Sequence, residues 1–127
     1  MKNINKVSLF FISIILLAIA CQPNPYRQGH TIYQVHCENC HMEDGSGLPG
    51  LIPSLESYSW DVETDSLVCL IRNGLPQNPA TGQSMPPNQM INEVEIANLL
   101  NYLRSLYSKN ASPITVKEVQ TSSESCQ

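Results

Sequence analysis

Two cysteines three residues apart, with a histidine directly after the second, stand in the first half of this chain: Cys37-Glu38-Asn39-Cys40-His41. On a helix, residues three apart lie on one side. The two thiols therefore point the same way and the imidazole follows them. The fold must keep these three side chains together and give them something to hold. The chain has only 127 residues to do so, which is one small domain at most. A TIM barrel or a two-domain dinucleotide-binding protein is excluded by size. A formal charge of −4 gives no nucleic-acid footprint.

Part of the chain is an address. Lys2 and Lys6 precede an apolar run from Val7 to Ala20, interrupted only by Ser8 and Ser13. That run is shorter than the about twenty residues of a membrane span and suits the core of a secretory signal. It ends Ala18-Ile19-Ala20-Cys21, which resembles the lipobox of bacterial lipoproteins, where the cysteine is acylated and becomes the mature N-terminus. A plain signal peptide cleaved near Ala20 is the alternative. Residues 1–20 are thus read as signal peptide, Cys21 as the lipidation site and 21–25 as a lipid-anchored linker. The expected location is the periplasmic side of the cell envelope, membrane-anchored, where disulfides are allowed. The mature chain of 107 residues has 5 basic and 11 acidic side chains. Such a length buries only a modest core, a shortfall that a covalent cofactor would fill.

Three chemistries fit the cysteine cluster. The C-x-x-C-H string is the attachment signal for c-type haem: each thiol forms a thioether to one vinyl group, and His41 becomes an axial ligand of the iron. Zinc would need a fourth ligand and usually a second paired cluster. A thioredoxin-like disulfide belongs in a strand-helix context, and no strand pattern is visible. Export, loop content and the adjacent histidine favour haem.

The periodicity predicts an all-α domain of three to five short helices joined by long loops, over residues 26–107. The first helical stretch runs from Tyr26 to Cys40, with Ile32, Tyr33 and Val35 on its apolar face. The second covers Thr64 to Asn73, ended by Gly74. The last begins at Asn92, which forms a capping box with Glu95, and Ile91 and Ile96 stand at the positions of a hydrophobic staple. Ile96, Leu99, Leu100, Leu103, Leu106 and Tyr107 recur at helical spacing. Residues 108–127 are Ser/Thr-rich and read as a flexible tail. Cys69, among Leu67, Val68, Leu70 and Ile71, reads as a buried thiol. A Cys69–Cys126 disulfide would require that tail to fold back and is not expected. Cys126 is instead read as free or paired with another chain.

From Tyr26 to Tyr107 the chain resembles a class I c-type cytochrome. Gly29 and Tyr33 precede Cys37 as in the family's first helix, where the glycine admits the last helix and the aromatic packs across it; Leu99 and Tyr102 would be their partners. Gly45-Ser46-Gly47 resembles the glycine-rich turn after the haem motif. Pro53 and Leu55 resemble the P-x-L element, and the resemblance implies that the Pro53 carbonyl accepts a hydrogen bond from His41, fixing the ring. Ile71-Arg72-Asn73-Gly74 matches the end of the middle helix, and Met85-Pro86-Pro87 the ligand loop.

The resemblance implies a cytochrome c-like fold around one covalent haem c, held by Cys37 and Cys40. His41 is the proximal and Met85 the distal ligand. His/Met ligation raises the haem potential, and Pro86 and Pro87 stiffen the backbone after Met85. Met90 is the alternative ligand, but it reads as packing beside Ile91. His30 and His36 read as ordinary surface or partly packed residues, with a bis-His site left open. Tyr58 and Trp60 are candidates for hydrogen bonds to a haem propionate, or for lining the pocket. Arg72 is a candidate to balance propionate charge, or a solvated helix end.

The expected function is single-electron transfer between envelope redox partners, with no catalytic residues. A fixed haem c subunit of a larger oxidoreductase is the first alternative. A haem enzyme or gas sensor with a displaceable sixth ligand is the second. Between Tyr26 and Tyr107 there are 3 basic and 9 acidic residues, so the expected donor and acceptor offer a positive or apolar docking patch.

Overall fold

The computed structural model describes residues 8–14, 24–79, 82–110 and 112–126. Residues 8–14 are helical and their apolar side chains are exposed. Residues 1–7 and 15–23, with Cys21, lie outside the described residues, and no described helix is long and apolar enough to cross a membrane.

The described fold is all-α. Helix α1 spans Arg27–His36, α2 Glu38–His41, α3 Thr64–Asn73, α4 Glu93–Tyr107 and α5 Val116–Ser125. Among the described residues there is no strand, only the isolated bridges Leu48–Ile52 and Leu75–Met85. The fifteen residues of α4 begin as the sequence predicts. Asn92 Oδ1 accepts from the amides of Val94 and Glu95, and Glu95 Oε2 accepts from the Asn92 amide. Both staple residues, Ile91 and Ile96, are buried.

The first helical stretch is broken at Cys37, which leaves α1 and the single turn of α2. α1 packs on α4. A Cβ on Gly29 would meet the Asn98 carbonyl and the Cβ of Tyr102, so glycine lets the two backbones approach. Asn98, not Leu99, stands against Gly29. The Tyr33 and Tyr102 rings follow at 6.0 Å between centroids. Val35 turns away from this contact and is 70% exposed, and Leu106 is likewise on the surface.

The segment from Ser108 onward is not a flexible tail. Thr115 and Glu118 form a second capping box and start α5, which packs on α3 and α4. Ile114 and Val119 enter the core, and the Asn101 side chain pairs with both the amide and the carbonyl of Ile114 at 2.8 Å. Ser122 is buried and its hydroxyl bonds to Asp65. α5 thereby brings Cys126 to Cys69, and the two form a disulfide with Cα atoms 5.1 Å apart. The expectation of unpaired Cys69 and Cys126 is corrected. Leu67, Val68 and Ile71 take the inward face of α3, while Cys69 is turned to α5.

Candidate functional site

Cys37, Cys40 and His41 line one cleft with an interior of about 280 Å³. The Cys37 amide donates to the Tyr33 carbonyl and the His41 amide to the Cys37 carbonyl, so a single helical turn presents all three side chains. Both cysteines are unpaired in this structure. Burial, and then the neighbouring Cys40, push the Cys37 thiol up to about 11. Burial lowers the His41 imidazole, favouring the neutral ring that can ligate a metal.

The rest of the cleft comes from distant parts of the chain. Leu67 and Ile71 of α3, with Leu99 and Leu103 of α4, supply apolar wall. Met85, Pro86 and Pro87 enter from the loop after α3. That loop is held at the end of the helix. The Leu75 amide donates to the Met85 carbonyl at 2.9 Å, and the Asn88 amide to the Ile71 carbonyl at 3.0 Å. The Gln89 side chain donates to the Arg72 carbonyl at 2.7 Å. Gly74, at φ +67°, stands where a Cβ would meet the Met85 carbonyl, so only glycine allows this closure.

The described residues fit haem c. The site offers two reduced thiols one helical turn apart, a thioether and mostly apolar walls. His41 Nδ1 is buried and has no hydrogen-bond partner. This is the ring nitrogen that the resemblance pairs with the Pro53 carbonyl, and leaving it unpaired costs about 1–3 kcal/mol. Among the described residues no group of three His, Cys, Asp or Glu side chains is placed to hold a metal ion.

A family model described as cytochrome c oxidase, cbb3-type, subunit III, matches residues 24–103. The chain belongs to this family. It carries a class I c-type cytochrome domain, whose kind holds covalent haem c and transfers electrons. No match was found among curated proteins.

Several residues stand elsewhere than the resemblance implied. Pro53 lines the cleft, but the His41 Nδ1 bond to its carbonyl is not formed. Gly47 lies between the two: its amide donates to the His41 carbonyl, and a Cβ there would be 2.7 Å from the Pro53 carbonyl. Trp60 is buried and lines the cleft, and its indole N–H donates to the Leu55 carbonyl at 2.7 Å. It is a wall residue, with its donor already used. Tyr58 lines the rim, partly exposed, its ring 5.6 Å from Trp60. Arg72 is not in the cleft lining. Its guanidinium donates to the Ile91 carbonyl at 2.7 Å and to Glu93 at 2.9 Å, fastening the end of α3 to the start of α4. The propionate role is therefore corrected to a structural one.

His36, read from the sequence as an ordinary surface or partly packed residue, is exposed, lines the cleft and pairs with Asn88 at 3.5 Å. The structural role of Arg104 escaped the sequence reading. Arg104 gives its guanidinium to the carbonyls of Trp60, Val62 and Ser112, pinning the Trp60 loop to α4. Carbonyl partners leave no signature in sequence.

Proposed function

We propose that the protein is a membrane-tethered carrier of single electrons, with one haem c, at the periplasmic side of the cell envelope. The observation that carries this reading is the meeting of Cys37, Cys40, His41 and Met85 in one apolar cleft. Haem c, when bound, supplies one-electron chemistry at its iron. The chain's part is to hold it. Cys37 and Cys40 would provide the thioether sulfurs, and His41 and Met85 would ligate the iron. The walls from Trp60, Leu67, Leu99 and Leu103 exclude water. Two ligands from the protein would leave the iron no open position, which favours an electron carrier over an enzyme or gas sensor. The single C-x-x-C-H motif supports one haem, and Cys21 after its apolar leader supports the tether. The acidic surface supports partners with a positive or apolar docking patch.

Expression in a host that matures c-type cytochromes tests this reading. The expected product keeps its colour after denaturation and acid extraction, shows a methionine–iron charge-transfer band when oxidised, and loses covalent haem in a Cys37→Ser/Cys40→Ser variant. Colourless denatured protein would refute it. Labelling with radioactive fatty acid, lost in Cys21→Ser, tests the anchor.

The family's description as an oxidase subunit favours a second reading, a fixed haem c subunit of a larger oxidoreductase. Mild detergent extraction separates the two. A carrier leaves the membrane alone, and a subunit leaves with a larger enzyme at fixed stoichiometry.

A further inference from the structure

We propose that the Cys69–Cys126 bridge and α5 position Met85 for its place at the iron, acting through α3. The proposal rests on the reading of Met85 as an axial ligand. It starts from an asymmetry in the packing of α3. The inner side of this helix, with Leu67, Leu70 and Ile71, faces the cleft. Among the described helices, α5 is the one against which α3 packs extensively. The main helical neighbour of α3 is thus the strap formed by residues 112–126.

The strap grips α3 at two places. The Ser122 hydroxyl bonds to Asp65 in its first turn, and Cys126 is covalently joined to Cys69 in its middle. The strap is itself fixed to α4 by the paired hydrogen bonds of Asn101 with Ile114. The far end of α3 carries the Met85 loop, through the carbonyls of Ile71 and Arg72 and through the turn at Gly74. Arg72 adds one tie to the start of α4 at that end. Every backbone hydrogen bond described for the segment from Met85 to Gln89 leads back to α3 or to Leu75 just beyond it. A thioether is a neutral, weak ligand, so its occupancy depends on how firmly its backbone is held. The strap lies outside the matched residues 24–103.

The test uses the full, haem-loaded protein and a Cys69→Ala/Cys126→Ala variant. Three quantities are read: the methionine–iron charge-transfer band, the concentration of added imidazole that displaces Met85, and hydrogen exchange of the Asn88 amide. In the variant, imidazole is expected to displace Met85 at about tenfold lower concentration. Asn88 is expected to exchange about tenfold faster. An unchanged imidazole midpoint with unchanged Asn88 exchange would overturn the proposal, whatever the loss of thermal stability, because a simple staple predicts that pattern. Ser122→Ala keeps the bridge and is expected to shift both readouts in the same direction by less. Should the double variant fail to fold, unchanged readouts in Ser122→Ala overturn the proposal. A wild-type protein without the methionine band would remove the Met85 assignment itself, and the proposal with it.

Discussion

The Tyr33 hydroxyl donates a 2.6 Å hydrogen bond to the carbonyl of Met42, the residue directly after His41. Met42 has φ +66° and ψ 163°, a region that side-chain-bearing residues rarely enter. Its amide donates to Glu38 at 2.8 Å, so the strained backbone is held from both sides. The bond links the core of the α1–α4 contact to the turn that presents the imidazole.

Breaking this bond tests whether it maintains the strain. Tyr33→Phe is expected to lower stability by about 1 kcal/mol. On a Met42→Gly background the same substitution should cost measurably less, because glycine accepts the conformation without help. A double-mutant cycle by denaturant unfolding of the loaded protein reads the coupling. Strict additivity would show that the hydroxyl does not restrain Met42.

Gly29→Ala probes the close approach of α1 and α4. The added methyl meets the backbone carbonyl of Asn98, which cannot swing aside as a side-chain tip would. The helices must separate, at an expected cost of about 1–3 kcal/mol. A shift in thermal midpoint below that range would mean that α1 rolls to relieve the contact.

The disulfide closes a long loop, its cysteines 57 positions apart. Constraining the unfolded chain to that extent corresponds to about 4 kcal/mol. Cys69→Ala/Cys126→Ala is therefore expected to lower the denaturant midpoint substantially without changing helix content. Non-reducing peptide mapping of the wild-type protein should recover the Cys69 and Cys126 peptides joined.

The cap of α5 carries a pH dependence. Hydrogen bonds from the Thr115 side chain and amide hold the Glu118 carboxyl below its ordinary 4.5. A depressed folded value means that the contribution is complete above the unfolded value and is lost as pH falls through the folded one. The start of α5 should therefore loosen in acid, as pH falls below the ordinary carboxylate range. Hydrogen exchange of the first amides of α5 should accelerate there in the wild type. In Glu118→Gln that acid-dependent step should vanish.

What was legible in the sequence rested on local strings: C-x-x-C-H, the Asn92 capping box and Met85-Pro86-Pro87. Each follows from neighbours in the chain. α3 and the start of α4 accordingly stand where the periodicity put them. α5 was missed because its stretch is rich in Ser and Thr and only weakly apolar. The Thr115-x-x-Glu118 pair was its one visible start signal.

The sequence by itself determined the local chemistry: the C-x-x-C-H string that marks covalent haem c, and helices whose caps and apolar stripes are set within a few residues. Only the tertiary structure decided where the remaining polar groups spend their hydrogen bonds. It directed Arg72 to Ile91 and Glu93, Trp60 to Leu55, and Cys126 to Cys69. The reason is distance along the chain. A cap or a ligand pair is specified by residues a few positions apart, whereas a carbonyl acceptor or a disulfide partner many residues away is chosen by which helices pack together.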